Sequence, residues 1–377
     1  MVASTLWPFA FGVLGPVLLT ELSLTPGMFG TIYAIYYASA SFGSPWVVRL
    51  ADRLPFKRSI HLMALGTAAY LLFFSASQSI LWLIPGAMIA GVVMASANPF
   101  TNSLITASLR DRDVRLAVGL KQSGVPLSAV LAGWLVPLVT GWYDWRIGVL
   151  SLLIFPVIAS VAAVRVTGSG TMAGPEGSTK VERREQRLEQ RRTPVESTGL
   201  ETYALMLGIV TAGLNGYLPL FANTELDGSL ARGGALLAAF AAAGALARFF
   251  WSVVGRGRRT ILILFALPGV GSIALFALAV TRLEFLVWVL VVIAGVTVMA
   301  WQGIGTIAII EMGTRSVGRT SGRMLQFFYA GFVIGAPSMG IVVDRAGFVT
   351  AWSMLGVAAA IACLSMLGKV RAQIVAG

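Results

Sequence analysis

The sequence predicts an all-α integral membrane protein of twelve transmembrane helices, arranged as two six-helix halves. Three observations carry that expectation. Hydrophobic residues make up 57% of the 377-residue chain and charged residues 12%, with a mean hydropathy of +0.82, whereas an ordinary soluble domain is about 45–50% apolar and roughly 25% charged. The apolar residues fall into runs long enough to cross a bilayer. A single long polar stretch, 167–198, divides those runs near the middle of the chain.

A helix crossing the ~30 Å hydrocarbon core needs about 20 apolar residues, at 1.5 Å of rise each. Twelve segments meet this length: 2–21, 27–49, 59–77, 80–107, 115–138 and 146–166, then 199–222, 229–253, 260–280, 284–310, 320–343 and 348–369. They are too long for strands and lack period-2 alternation, which excludes a β-barrel. The first run has no charge before Glu21, so it lacks the basic start of a cleaved leader. Its neighbours are longer, which suggests that part of the first helix is clipped.

The loops give the orientation. Of 28 Lys and Arg residues, 23 fall in or beside alternate loops on one side, and four, Arg146, Arg232, Arg282 and Arg345, on the other. Basic loops mark the cytoplasmic side, so both termini are expected in the cytoplasm of a cell bounded by an inner membrane. The formal charge of +12 thereby reads as a topology signal, with lipid and not nucleic acid as the macromolecular surroundings. One residue, Lys121, is left inside a span.

Catalytic chemistry finds little material. The single cysteine, Cys363, and the single histidine, His61, exclude a disulfide framework and a Cys/His metal cluster within one chain. There is no G-x-x-x-x-G-K-[ST] nucleotide loop. No clustered His, Asp or Glu stands at a matching depth for a membrane-embedded enzyme. Neither a cofactor nor a metal is expected, and no residue is assigned a catalytic role.

The chain divides into an N-terminal bundle (1–166), a cytoplasmic linker (167–198) and a C-terminal bundle (199–377). The linker opens with Gly, Ser and Pro, as a flexible tether does. Its KVERREQRLEQRR stretch, from Lys180, is either a solvated tether or a contact for anionic lipid heads. The halves echo each other. Spans two and eight end in basic loops, RLADRLPFKR and GRGRR. Spans five and eleven begin with Arg, Gly and Gln, as Arg115/Gly119/Gln122 and Arg319/Gly322/Gln326, then carry GVP at 124–126 and GAP at 335–337. Similarity at matching positions suggests a parallel repeat.

These residues resemble the major facilitator superfamily of secondary transporters. That family's loop between spans two and three reads G-x-L-A-D-R-x-G-R-K. Leu50, Ala51, Asp52, Arg53 and Lys57 match it here, while Val48, Pro55 and Phe56 replace the expected Gly, Gly and basic residue. GWYDWR (141–146) and VDRAG (343–347) resemble the turns after spans five and eleven. The resemblance implies the family fold, alternating access between two halves, and a conformational switch in which Asp52 and Arg53, with Lys57 and Arg58, contact helix ends of the other half. A topology-anchoring role alone is the other reading of these basic residues.

Lys121 lies about six residues into span five, roughly 9 Å deep. A charge near mid-membrane costs from ~2.5 to more than 10 kcal/mol, so a lysine at this depth needs a reason. One reading is that it snorkels to the cytoplasmic surface. The other is that it faces a wet cavity. Gln122 is adjacent, and Gly119, Gly124 and Pro126 surround the pair, features of a protein-facing helix. The carboxylates Glu21, Glu201 and Glu311 all sit near span ends. A cation in such a cavity is an anion contact, and G-x-K-Q-x-G-x-P also resembles the fifth helix of cyanate-type porters.

The family fold implies that spans one, four, seven and ten line the cavity, with contributions from two, five, eight and eleven. Candidate substrate contacts are therefore Lys121 and Gln122, Asn98 and Asn102 with Thr101 in span four, Asn215 with Tyr217 in span seven, and Trp301 and Gln302 in span ten. Gln326 and Tyr329 in span eleven join them, with Tyr33, Tyr36 and Tyr37 in span two. Amides within spans either face such a site or bridge helices. The expected function is secondary active or facilitative movement of a small, anionic solute by a monomer. Glu311 is the fallback proton carrier. The alternatives are a proton-coupled drug or metabolite exporter and a membrane sensor that does not transport.

Overall fold

A computed structural model of the protein describes residues 1–51, 53–108, 121–167, 198–226, 228–254, 258–311 and 317–375, and every regular element among them is helical. The reason is the solvent. In hydrocarbon each backbone N–H and C=O must be satisfied within the segment, which a helix does.

The chain opens with α1 (Leu6–Val13) and α2 (Gly15–Glu21), bent by 62° where they meet. Pro16 stands in the first turn of α2, where its missing N–H leaves no helical bond unmade. Next come α3 (Pro26–Ala51), α4 (Phe56–Ser75), α5 (Ile80–Ser108), α6 (Gly124–Trp142), α7 (Trp145–Leu150) and α8 (Ile154–Thr167). After residue 198 follow α9 (Thr198–Glu225), α10 (Leu230–Val254), α11 (Arg258–Val280) and α12 (Glu284–Ala294). A π-helical segment, Gly295–Met299, links α12 to α13 (Trp301–Glu311), and α14 (Val317–Ser365) and α15 (Leu367–Val375) complete the set.

Among the described residues, eight helices are long and apolar enough to cross a membrane, nine with the bent pair counted as one. The protein is thus an all-helical, multi-pass membrane protein. Two local features separate this count from the sequence reading. The 49-residue α14 is two helices joined across a kink at Gly347, whose φ of 74° is open to glycine because it has no Cβ. α3 and α4 are 26 and 20 residues long, but Ser, Gly, Tyr and basic residues dilute their apolar character.

Helix ends sort by charge. Arg49, Lys57, Arg58, Arg165, Arg259, Arg323 and Lys369 mark a basic face, and Glu21, Glu225, Glu284, Arg146, Arg232, Arg282 and Arg345 mark the opposite face. Arg146 pairs with Glu21 and Asp144 at 3.3 and 3.4 Å, Arg282 with Glu225 at 2.9 Å and Arg232 with Glu284 at 3.4 Å. Trp145 Nε1 also donates to Glu21 Oε2 at 2.6 Å.

The helices before residue 167 meet those after 198 along α3 against α14 and α6 against α10. Small residues allow both contacts. A Cβ on Gly30 would overlap the Ala336 carbonyl, and one on Gly340 the Pro26 carbonyl. Gly133 and Gly234 each lie against the other's carbonyl in the same way. The closure is bonded as well as packed: Gly27 N–H donates to Asp344 Oδ2 at 2.8 Å, and the buried Tyr217 hydroxyl donates to the Pro26 carbonyl at 2.7 Å. All of these contacts lie towards the face opposite the basic ends, so the two sets are closed there.

Candidate functional site

At mid-depth the α3–α14 seam becomes aromatic. Tyr37 lies 4.2 Å from Phe332 and 6.4 Å from Tyr329 between ring centroids, and Tyr36 packs edge-on to Tyr37 at 4.7 Å. The Tyr36 hydroxyl is buried with no hydrogen-bond partner among the described residues. Polar groups of the interior then collect on the basic side of this layer, in two clusters.

The first cluster joins α5 to the start of α6. Lys121 Nζ donates to Asn98 Oδ1 at 3.0 Å, and Gln122 Nε2 reaches the same oxygen at 3.5 Å. Lys121 is half-buried and Gln122 exposed. The ammonium is thus turned towards α5. Pro99 follows Asn98 inside α5, and a proline removes one helical hydrogen bond, loosening the helix where the amide is presented.

The second cluster was not singled out from the sequence. Arg248, counted there with the loop cations, stands inside α10, six residues before its end at Val254. Its Nε donates to the Met299 carbonyl at 2.9 Å, and Trp251 Nε1 donates to the Val296 carbonyl at 3.2 Å. Both acceptors belong to the π-helical Gly295–Met299 segment, where bonding switches away from the i→i+4 pattern and carbonyls become available to side chains. Gly244 of α10 lies against Met299, and Gly295 against the Phe240 carbonyl, so the two backbones approach closely enough for those bonds. Leu246, Phe249 and Phe250 point outwards, at 74%, 78% and 55% exposure, while Arg248 turns to the interior. The available signal was the rule applied to Lys121: a cation several residues inside an apolar run, here ALARFFW, needs a protein-side reason.

The other predicted contacts are dispersed. Trp301 is buried, edge-on to Tyr203 at 5.7 Å and to Phe328 at 5.2 Å, and its indole N–H has no hydrogen-bond partner among the described residues. Gln326 is exposed and Tyr329 half-buried. Asn215 is buried where α9 meets α1, with its backbone carbonyl against Gly12. Tyr33 donates to the Pro8 carbonyl, and Thr101 to its own helix at 2.5 Å. Arg53, Lys57 and Arg58 are exposed. Asp52 and the side chains of Asn102, Gln302 and Glu311 lie outside the described residues.

Glu201, 8% exposed, holds Arg323 at 2.5 Å on the basic side. Among the described residues no group of three His, Cys, Asp or Glu could hold a metal ion. An apolar hollow lined by Trp251, Ile263, Leu267, Val292 and Val296 lies between α10, α11 and α12; its lining offers nothing to an anion.

Two helix sets closed at one end, with polar groups gathered inside the other, define a membrane transport protein and not an enzyme. The profile of the Major Facilitator Superfamily matches residues 1–329, and the chain belongs to that family. No curated protein matches its sequence. Among solved structures, it is similar to a bacterial homologue of the human lysosomal transporter Spinster in an inward-facing, unoccupied conformation. The TM-score is 0.74 at 16% identity, over 97% of this chain and 94% of that one. It is also similar to a mutant of the nucleoside transporter NupG, at a TM-score of 0.73 and 14% identity, over 97% of this chain and 96% of that one. Such identities establish a shared fold and leave the substrate open.

Proposed function

We propose that the protein moves a small anion across the membrane by alternating access, as a secondary active or facilitative transporter. The observation that carries the reading is the convergence of Lys121, Gln122 and Asn98. A lysine ammonium held 3.0 Å from an amide oxygen supports reading this point as a contact for an anionic solute. Asn98 gives the ammonium a neutral hydrogen-bond acceptor. Closure opposite the basic face supports a state open towards that face.

Around this site the reading assigns twelve spans as six plus six, with residues 1–166 and 199–377 as the moving bundles and 167–198 as their linker. The basic face is cytoplasmic, with both termini on that side of an inner membrane, and one chain suffices for the cavity. The basic loop from Arg53 to Arg58, with Asp52, serves as the conformational switch.

The test is uptake of a panel of labelled small anions into proteoliposomes by wild type, Lys121→Ala and Lys121→Gln. An anion carried by wild type and lost in both variants establishes Lys121 as a substrate contact. Unchanged transport in both variants removes the anion reading, and wild type that binds an anion without net flux is a sensor.

A further inference from the structure

We propose that the hollow between α10, α11 and α12 is a binding site for one anionic phospholipid, which lays an acyl chain in the hollow and its phosphate against Arg259. The site stands on the outside of the bundle, so the proposal is independent of the solute that is carried.

The lining selects hydrocarbon. The hollow has a volume of about 360 Å³, within the ~300–1,000 Å³ of ordinary small-molecule sites. Ile263, Ala266 and Val270 of α11 form one wall, and Val292 and Val296 line it as well. Trp251 and Thr297 bring polar atoms to the lining, and both are committed within the protein. Trp251 Nε1 donates to the Val296 carbonyl at 3.2 Å, and the Thr297 hydroxyl donates to the Ile293 carbonyl at 2.7 Å. A polar occupant would lose its partners in water and gain none here. A methylene chain carries no such cost.

Access points to lipid. Val270 is 47% and Val292 40% exposed, and Ala266 is exposed beside them. Leu262, Ala266, Val270 and Ile273 recur at helical spacing as an outward, apolar stripe of α11. The hollow therefore opens on the surface that hydrocarbon covers in a multi-pass protein.

Depth and charge narrow the occupant further. Arg259, the second residue of α11, is exposed. It shares a helix face with Ile263, Ala266 and Val270, which follow at spacings of four, seven and eleven residues. At 1.5 Å per residue the hollow extends from about 6 to about 17 Å below Arg259. That is the depth of one leaflet's chains in a ~30 Å core. Among the described residues no carboxylate pairs with Arg259, whereas Arg282 and Arg323 hold Glu225 and Glu201. A guanidinium forks onto two phosphate oxygens, and a zwitterionic headgroup would bring a second cation to the same place. With the basic face cytoplasmic, the site fronts the leaflet where anionic lipids gather.

The experiment is native mass spectrometry of the purified full chain, released from detergent micelles that hold equimolar phosphatidylglycerol and phosphatidylcholine with the same acyl chains. Wild type is expected to retain one phosphatidylglycerol with a preference of about fivefold, the order for one basic residue at an anionic headgroup. Arg259→Gln should bring the two lipids to parity, and Arg259→Lys should keep most of the preference. Ala266→Trp, which fills the hollow, should lose the retained phosphatidylglycerol. Leu246→Trp adds the same ring to the outward face of α10, outside the hollow, and should keep it. Glycerol phosphate carries the headgroup anion without a chain and should not displace the lipid. If Ala266→Trp does not fold, Val292→Phe narrows the hollow on its α12 side and carries the same expectation. Equal retention of both lipids by wild type, an unchanged preference in Arg259→Gln, or full retention in a folded Ala266→Trp or Val292→Phe overturns the proposal. Displacement by glycerol phosphate overturns the lipid as occupant, and an equal loss in Leu246→Trp overturns the hollow as its place.

Discussion

The two ends of this protein are built from different chemistry. At the end opposite the basic face, helices of the two sets meet backbone to backbone at Gly30, Gly340, Gly133 and Gly234, with hydrogen bonds from Gly27 and Tyr217 across the junction. The arginines there are matched: Arg146, Arg232 and Arg282 each hold a carboxylate. At the basic end Arg53, Lys57 and Arg58 are exposed, and the interior cations Lys121 and Arg248 rest on neutral oxygens of Asn98 and Met299. The lesson concerns reversibility. Glycine contacts and a few directed hydrogen bonds close a junction tightly without a large interlocked surface.

The closed end should be the easier to break. Gly234→Leu sets a branched side chain against the Gly133 backbone, and overpacking of this kind costs about 1–3 kcal/mol or more. Transport is expected to fall to background in proteoliposomes, and a cysteine placed on the α6–α10 seam should become open to a membrane-impermeant thiol reagent from the closed side. Normal uptake with a protected seam would show that this crossing is not part of the cycle.

Converting the neutral acceptor at the other end comes next. Asn98→Asp places a carboxylate on Lys121 and neutralises it, so anion uptake should fall by about tenfold or more, the order of effect for a close charge pair. Asn98→Ala should fall less, because the ammonium loses an anchor and keeps its charge. Uptake that rises in Asn98→Asp would point to a cationic solute and reverse the contrast between the two ends.

Asp344→Asn weakens a charge-assisted bond on an exposed helix end, worth about 1 kcal/mol. It should shift the population towards the opposite state by roughly fivefold. Thiol labelling of a cysteine near Gly27, compared with wild type, reads that shift. The smallest effect is expected from Trp251→Phe, which removes one neutral hydrogen bond to the Val296 carbonyl, about 0.5–1.5 kcal/mol, and should lower the melting temperature by a few degrees at most. A loss of transport in that variant would make the π-helical segment itself a moving part.

Much of the architecture was legible because hydrocarbon imposes a length and a composition on every span. The sorting of basic loops, the polar stretch at 167–198 and the anomalous Lys121 all followed from that constraint. Asn98 joined Lys121 in the candidate list for the same reason, since an amide inside a span needs a partner. Arg248 was legible in principle, but loop counting absorbed it, because six residues from a helix end is the depth at which snorkelling and burial look alike in one dimension. Asn215 carries the same residue chemistry as Asn98 and is buried where α9 meets α1, its Oδ1 without a hydrogen-bond partner among the described residues.

By itself the sequence determined the membrane, the helices and which side bears the positive charge, since each follows from local composition against a fixed thickness of hydrocarbon. Only the tertiary structure decided that Lys121 meets Asn98 across 23 residues, that Arg248 turns inward onto the carbonyl of Met299, and which end of the molecule is shut. Those outcomes depend on the rotation of each helix about its axis, which is settled by which glycines let two backbones touch.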